Sequence, residues 1–250
     1  MKTVLTSWLG GAFLLNKTRV PGYILEQNGL AEFIRRSWKP ASKVLIIAAG
    51  PEEYDKNDSV LACLKEGFPM SGMSVSSVEM CDRRTEDLIE KVPETDVLVL
   101  SGGHVPTQNE FMRKLRLRER LSDFNGMVLA WSAGSMNCAE TVYAGPELPG
   151  EALDPDFKRW IPGLGLTKIN IFPHFSGLQN EMIDGLRMIE DVTFADSMGH
   201  EIIALNDGSY IVCDGGVETL YGDAFRIKDG HVEKICSEGS STVLTSGTED

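Results

Sequence analysis

The chain is short of cysteine, histidine and long apolar runs, and each shortage closes off a class of protein. Five cysteines stand at 63, 81, 138, 213 and 236. Their number is odd and no two form a Cys-x-x-Cys, so neither a zinc ribbon nor a dithiol redox site is expected. Unpaired thiols fit a reducing compartment, and a cytoplasmic location is the expectation. No apolar run reaches the roughly 20 residues that a transmembrane helix needs. Basic residues are also scarce: 24 Lys and Arg face 37 Asp and Glu, a net charge of −13. Such a surface repels phosphate backbones and anionic lipid, which argues against nucleic-acid and membrane partners. The apolar residues near the N-terminus are interrupted by Thr6, Ser7, Gly10 and Gly11. Asn16-Lys-Thr-Arg19 then stands where a signal peptide would have its small-residue cleavage site, so Thr3–Ser7 reads as a first strand.

What the 250 residues do contain is a run of α/β elements with neither repeats nor low-complexity tracts. Val44–Ala49, Val75–Met80, Asp96–Leu100 and Met127–Trp131 read as strands. Three of the four are continuous apolar runs, the mark of strands buried on both faces. Helical patterns lie between them at Tyr23–Trp38, Ser59–Glu66, Glu86–Lys91 and Asn109–Leu121. The alternation predicts a three-layer α/β sandwich with a mainly parallel sheet. Further on, Ile202–Leu205, Tyr210–Cys213, Glu218–Tyr221, Ala224–Ile227 and His231–Ile235 are short and separated by Asn/Asp/Gly turns. They predict a small antiparallel C-terminal edge. A single domain is expected over residues 1–237, with a mobile tail over 238–250.

Ligands of open α/β sheets bind beyond the carboxyl ends of the strands. Two such ends hold chemistry. In Ala130-Trp-Ser-Ala-Gly-Ser135 a serine follows a buried strand and small residues open a helix, the pattern of a nucleophile elbow with Ala130 in place of its first glycine. Ser132 there is either a nucleophile or a helix cap. In Leu100-Ser-Gly-Gly-His104 paired glycines bring N–H groups close to a ligand, either as part of an oxyanion hole or as a plain turn. A serine nucleophile needs a base. Of four histidines, His174 and His104 follow strand ends, whereas His200 and His231 read as surface residues. The acid that orients the base is open among Asp196, Glu201, Asp207 and Asp214, with Asp207 at a strand end.

With these segments the chain resembles the dipeptidase E and cyanophycinase family of serine peptidases, which has a class I glutamine amidotransferase-like fold. Leu100-Ser-Gly-Gly-His104 resembles its glycine-rich strand end, and Ala130-Trp-Ser-Ala-Gly134 its Gly-Trp-Ser-Ala-Gly elbow. Asn170-Ile-Phe-Pro-His-Phe175 is similar to its Asn-Pro-His-Phe segment, with two residues inserted. Ile203-Ala-Leu-Asn-Asp-Gly208 is similar to its Gly-Leu-Pro-Glu-Gly turn. Order and spacing agree from about Val44 to Ile211. The resemblance implies Ser132 as nucleophile, His174 as general base and Asp207 as orienting acid in place of glutamate. It implies an oxyanion hole from the N–H groups of Ala133 and Gly102 or Gly103, and neither a metal nor an organic cofactor. His104 stands where the family usually has asparagine and is expected to touch substrate.

The aspartate-specific members carry an arginine soon after the histidine. Here Gly177-Leu-Gln-Asn-Glu-Met182 has no basic residue and Arg187 lies further along, so the carboxylate clamp for an N-terminal Asp is missing. The expected substrate is a short peptide or related small amide, acted on by a monomer or homodimer. The alternatives are a hydrolase of non-peptide amides or esters, and a binding module that keeps the elbow without catalysis. The long Ala144–Pro162 loop is a candidate cover for the site.

Overall fold

The computed structural model describes residues 1–244. Its main sheet has eight strands. Their order is Ser241–Leu244, Val217–Tyr221, Tyr210–Asp214, Lys2–Thr6, Met127–Trp131, Val97–Leu100, Ser42–Ile47 and Val75–Cys81. The last five run parallel, and the first three add antiparallel pairings beside Lys2–Thr6. Side chains alternate across a strand, and here both sides are buried. Val44, Ile46, Val99 and Leu129 pack with Leu30, Ile34, Leu64 and Phe68, from the helices Leu30–Ser37 and Tyr54–Met70. Leu45, Ile47, Leu98 and Val128 pack the other way against Ile89, Phe111, Met112 and Leu117. Those come from the 3-10 segment Glu86–Glu94 and the helices Val105–Lys114 and Leu117–Arg120. Burying each such side chain contributes roughly 1.5–3 kcal/mol. The three layers are therefore held by continuous apolar strands sandwiched between helices that each bury one face.

Besides the split of the expected helix Asn109–Leu121 at Arg116 and the 3-10 form of Glu86–Glu94, three features differ from the sequence expectation. First, the C-terminal strands divide between two sheets. Tyr210–Asp214 and Val217–Tyr221 extend the main sheet, whereas Glu201–Leu205, Ala224–Lys228 and His231–Cys236 join Asn170–Phe172 in a separate four-stranded sheet. Short alternating strands specify a buried face but not the sheet that supplies it. Second, residues 23–38 are not one helix. Thr18–Ile24 is a strand paired with Gly10–Leu15, and the helix begins only at Leu30, after Gly29 at φ +79°. The hairpin turns at Asn16 and Lys17, both with positive φ, as a two-residue hairpin turn of the primed type requires. It lies on the helix Tyr54–Met70 at Gly67, where a Cβ would stand 2.8 Å from the carbonyl oxygens of both Gly11 and Gly22. Third, Ser241–Leu244, inside the expected tail, is an edge strand against Val217–Tyr221. Residues 245–250 of that tail fall outside the described residues.

No described helix is long and apolar enough to cross a membrane. All five cysteines are free, and four of them are buried.

Candidate active site

The carboxyl ends of the parallel strands converge with the end of the second sheet. Met127–Trp131 delivers Ser132, Val97–Leu100 delivers Ser101-Gly102-Gly103, and Lys2–Thr6 delivers Ser7 and Trp8. From the other sheet, Asn170–Phe172 leads to His174 and Glu201–Leu205 leads to Asp207.

Ser132 has φ +51° and ψ −122°, a conformation that costs a non-glycine residue about 1–3 kcal/mol. Its surroundings enforce it. The Ser132 N–H donates to the Thr6 carbonyl at 3.0 Å, and the Ser135 hydroxyl donates to the same oxygen at 2.9 Å. Two residues on, a Cβ on Gly134 would stand 2.2 Å from the Leu100 carbonyl oxygen, so only glycine lets the helix Ala133–Met136 start this close to the neighbouring strand. The strained serine, the small residues and the abrupt change from strand to helix make a nucleophile elbow.

Gly102 approaches the serine just as closely. A Cβ there would lie 2.6 Å from Trp131 Nε1 and 3.0 Å from Ser132 Cβ. Among the described hydrogen bonds, the N–H groups of Gly102, Gly103 and Ala133 have no acceptor. A fully buried amide network braces the loops beneath them. Gln108 donates to the Ser101 carbonyl at 2.8 Å, and Asn137 donates both to Gln108 and to the Val105 carbonyl.

His174 has φ +57° and donates or accepts through Nδ1 at 2.7 Å from Asp207 Oδ1. With the proton on Nδ1, the carboxylate accepts it and Nε2 keeps a free lone pair. Burial opposes ionisation of Asp207, but the hydrogen bonds from His174 and Ser7 outweigh it and hold its carboxyl below the usual range. Ser7 was not singled out by sequence, yet it ties the pair together. Its hydroxyl donates to Asp207 Oδ1 at 2.7 Å and accepts the His174 backbone N–H at 2.8 Å. Asn206 steadies the following turn by accepting the Ser176 N–H at 2.9 Å. The competing acids are engaged elsewhere: Asp196 with Tyr143 and Arg159, Glu201 with Arg226, and Asp214 with Lys2.

Two cavities open at Ser132. One of about 210 Å³ is lined by Trp8, Arg19, Lys56, Gly102, Trp131 and His174 among others. The other, about 680 Å³, is lined by Lys56, Arg83, Gly103, His104, Glu110 and Glu147 among others. A larger groove of about 800 Å³ lies apart, around Lys168, His200 and Arg226, and holds none of these groups. Ser132 and His174 line the smaller cavity together, although among the described residues no hydrogen bond joins them.

His104 lines the second cavity, but both ring nitrogens are committed, Nδ1 to Thr107 at 2.7 Å and Nε2 to Glu151 at 2.9 Å. It shapes the wall and pins the 144–162 loop, which brings Glu147 and Leu148 to the cavity. The Glu147 side chain remains exposed at the cavity wall, but the protein mass around it disfavours the charged form and pushes its pKa up to about 7. The Val105 N–H and His174 pull it down, and the Glu151 charge adds to the rise. Arg187 is exposed, ion-paired with Asp191, and lines neither cavity. His200 stacks on Trp160 with ring centroids 4.0 Å apart, away from the serine. No group of His, Cys, Asp and Glu suited to a metal ion occurs among the described residues.

The model of peptidase family S51 matches residues 25–220, which include the elbow, the histidine and the acidic turn. The chain belongs to peptidase family S51. This S51 chain is therefore a serine peptidase by family. No curated protein matches it. Among solved structures, a peptidase E candidate from Listeria monocytogenes EGD-e superposes with a TM-score of 0.58, covering 94% of this chain and 98% of that one. At 11% identity that likeness concerns the fold, and it agrees with the large, mainly parallel sheet of an S51 enzyme.

Proposed function

We propose that the protein hydrolyses short peptides through Ser132, His174 and Asp207. The observation that most supports this reading is that a strained serine and a carboxylate-bound histidine line one cavity.

Asp207 accepts the His174 Nδ1 proton and fixes the tautomer, which leaves the Nε2 lone pair to act as the base for Ser132. As Ser132 Oγ attacks the scissile carbonyl, its proton passes to Nε2. The new C–O bond drives the carbonyl electrons onto oxygen, and the N–H groups of Ala133 and Gly102 or Gly103 receive that oxyanion. In comparable sites one such donor is worth about 3–4 kcal/mol of barrier. Collapse of the tetrahedral intermediate breaks the C–N bond. The leaving amine takes the proton from His174, and an acyl-Ser132 ester remains. Water then repeats the sequence with His174 as base, releasing the acid and the free serine.

The test is a hydrolysis screen of dipeptides and isopeptides, run on wild type and Ser132→Ala in parallel with fluorophosphonate labelling. Wild type is expected to cleave members of the panel and to be labelled at Ser132. Ser132→Ala is expected to lose both properties and keep the fold. Full activity in the variant removes Ser132 from the mechanism.

A further inference from the structure

The two cavities at Ser132 are unequal in chemistry as well as in size. In serine acyl transfer the histidine must reach the leaving nitrogen, since it returns the proton there. His174 lines only the smaller cavity, so within the peptidase reading the smaller cavity takes the leaving residue and the larger takes the acyl residue. At about 210 Å³ the smaller one is below the roughly 300–1,000 Å³ of pockets for drug-sized ligands, which limits it to a single residue. Its walls are apolar: Trp8, Ala12, Val60, Leu64 and Trp131. Lys56, Val60 and Leu64 fall four residues apart on the helix Tyr54–Met70, so they share one face.

Into this apolar cavity the hairpin brings one guanidinium. Arg19 and Arg113 are the only described arginines with neither an ion pair nor a side-chain hydrogen bond. Arg113 is exposed on a helix, whereas Arg19 is half-buried and lines the cavity. In a chain of net charge −13, a half-buried arginine with no carboxylate in ion-pairing distance has its guanidinium free to take an anion from outside. Lys56 adds positive charge, although Glu53 already pairs with it at 2.7 Å. Its Nζ lies 3.7 Å from where a Cβ on Gly103 would stand. The larger cavity has an acidic excess: Glu52, Glu53, Glu110 and Glu147 line it beside Lys56 and Arg83, which pair with Glu53 and Glu52.

We propose that the small cavity is the leaving-residue site of a dipeptidase, where Arg19 holds the free C-terminal carboxylate of a dipeptide whose second residue is apolar. The substrate then lies with its amino end toward the acidic cavity and its carboxyl end toward the hairpin. This rests on the peptidase reading above. It also answers the missing clamp after His174: the basic group comes from a different element and recognises the other end of the substrate.

The experiment compares a dipeptide ending in phenylalanine with its C-terminal amide, the first residue being the best in the panel. Wild type is expected to favour the acid by about 10- to 100-fold in kcat/KM, the range of a charge-assisted hydrogen bond. Arg19→Met is expected to bring acid and amide within about threefold of each other, with Arg19→Lys in between, since lysine keeps the charge but not the fork. Thermal unfolding checks that Arg19→Met is folded. Equal cleavage of acid and amide by wild type overturns the proposal and leaves the peptidase reading standing. So does an acid preference that survives Arg19→Met. If neither compound is cleaved while other dipeptides of the panel are, the apolar leaving-residue site falls and the peptidase reading stands; if nothing in the panel is cleaved, the peptidase reading falls with it.

Discussion

Replacing Asp207 with asparagine tests the arrangement where the sequence motif was weakest. The carboxylate lies 2.7 Å from His174 Nδ1 and takes a second hydrogen bond from Ser7. In the transition state the imidazole becomes a cation. With charge centres about 4 Å apart, the attraction is about 1 kcal/mol in water and about 4 kcal/mol at an effective dielectric of 20. The Asp207 side chain is 53% exposed, which places the site between those limits, and about 2–3 kcal/mol is a reasonable middle. That alone lowers kcat by about 30- to 200-fold, since each 1.36 kcal/mol is a factor of ten. An asparagine that turns its NH₂ toward Nδ1 also selects the wrong tautomer, which in a chymotrypsin-like triad costs about 10⁴-fold. The expected loss in Asp207→Asn is therefore about 10²- to 10⁴-fold in kcat, with KM nearly unchanged. Steady-state kinetics on the best dipeptide measures it. Asp207→Glu, which keeps the charge and supplies the family's usual acid, is expected to recover part of the rate. Activity in Asp207→Asn within about threefold of wild type refutes the assignment of the acid.

Gly134→Ala forces a Cβ to within 2.2 Å of the Leu100 carbonyl oxygen, which only a backbone shift can relieve. A destabilisation of about 2–4 kcal/mol is expected by urea denaturation, together with loss of fluorophosphonate labelling; an unaffected denaturation midpoint contradicts the close approach. Glu147 binds its proton more tightly in the folded chain, with a pKa up to about 7 against an ordinary 4.5. Its favourable contribution is thus present at acid pH and lost as pH rises through about 7, so Glu147→Gln should lose less stability than wild type between about pH 5 and pH 8. Parallel denaturation curves at the two pH values decide this, and an identical pH dependence in both proteins argues against it.

Much of the architecture was readable before the structure. Val44–Ala49 and Asp96–Leu100 had to be central strands, because runs apolar on both faces have no other comfortable place in an α/β domain. The elbow was readable because Ser132, Ala133 and Gly134 each meet a local demand: a hydroxyl at the turn, a small neighbour, and room for the Leu100 carbonyl. His174 was one of two candidates by position, and the structure brings it, not His104, to a carboxylate at a strand end. The hairpin Gly10–Leu15/Thr18–Ile24 was missed. Its pairing partner and the helix beneath it, rather than its own pattern, hold Tyr23 and Ile24 extended.

The sequence by itself determined the class of fold, the elbow and the types of residue available for acyl-transfer chemistry, because these depend on local patterning and on contacts along short segments. Tertiary structure alone decided which acid meets the histidine, that Ser7 braces the pair from 167 residues away, and that Arg19 reaches the cavity. Those relations join a first strand, a hairpin and two separate sheets. No single segment carries the information, since a hydrogen bond at 2.7 Å depends on how sheets pack rather than on the residues flanking either partner.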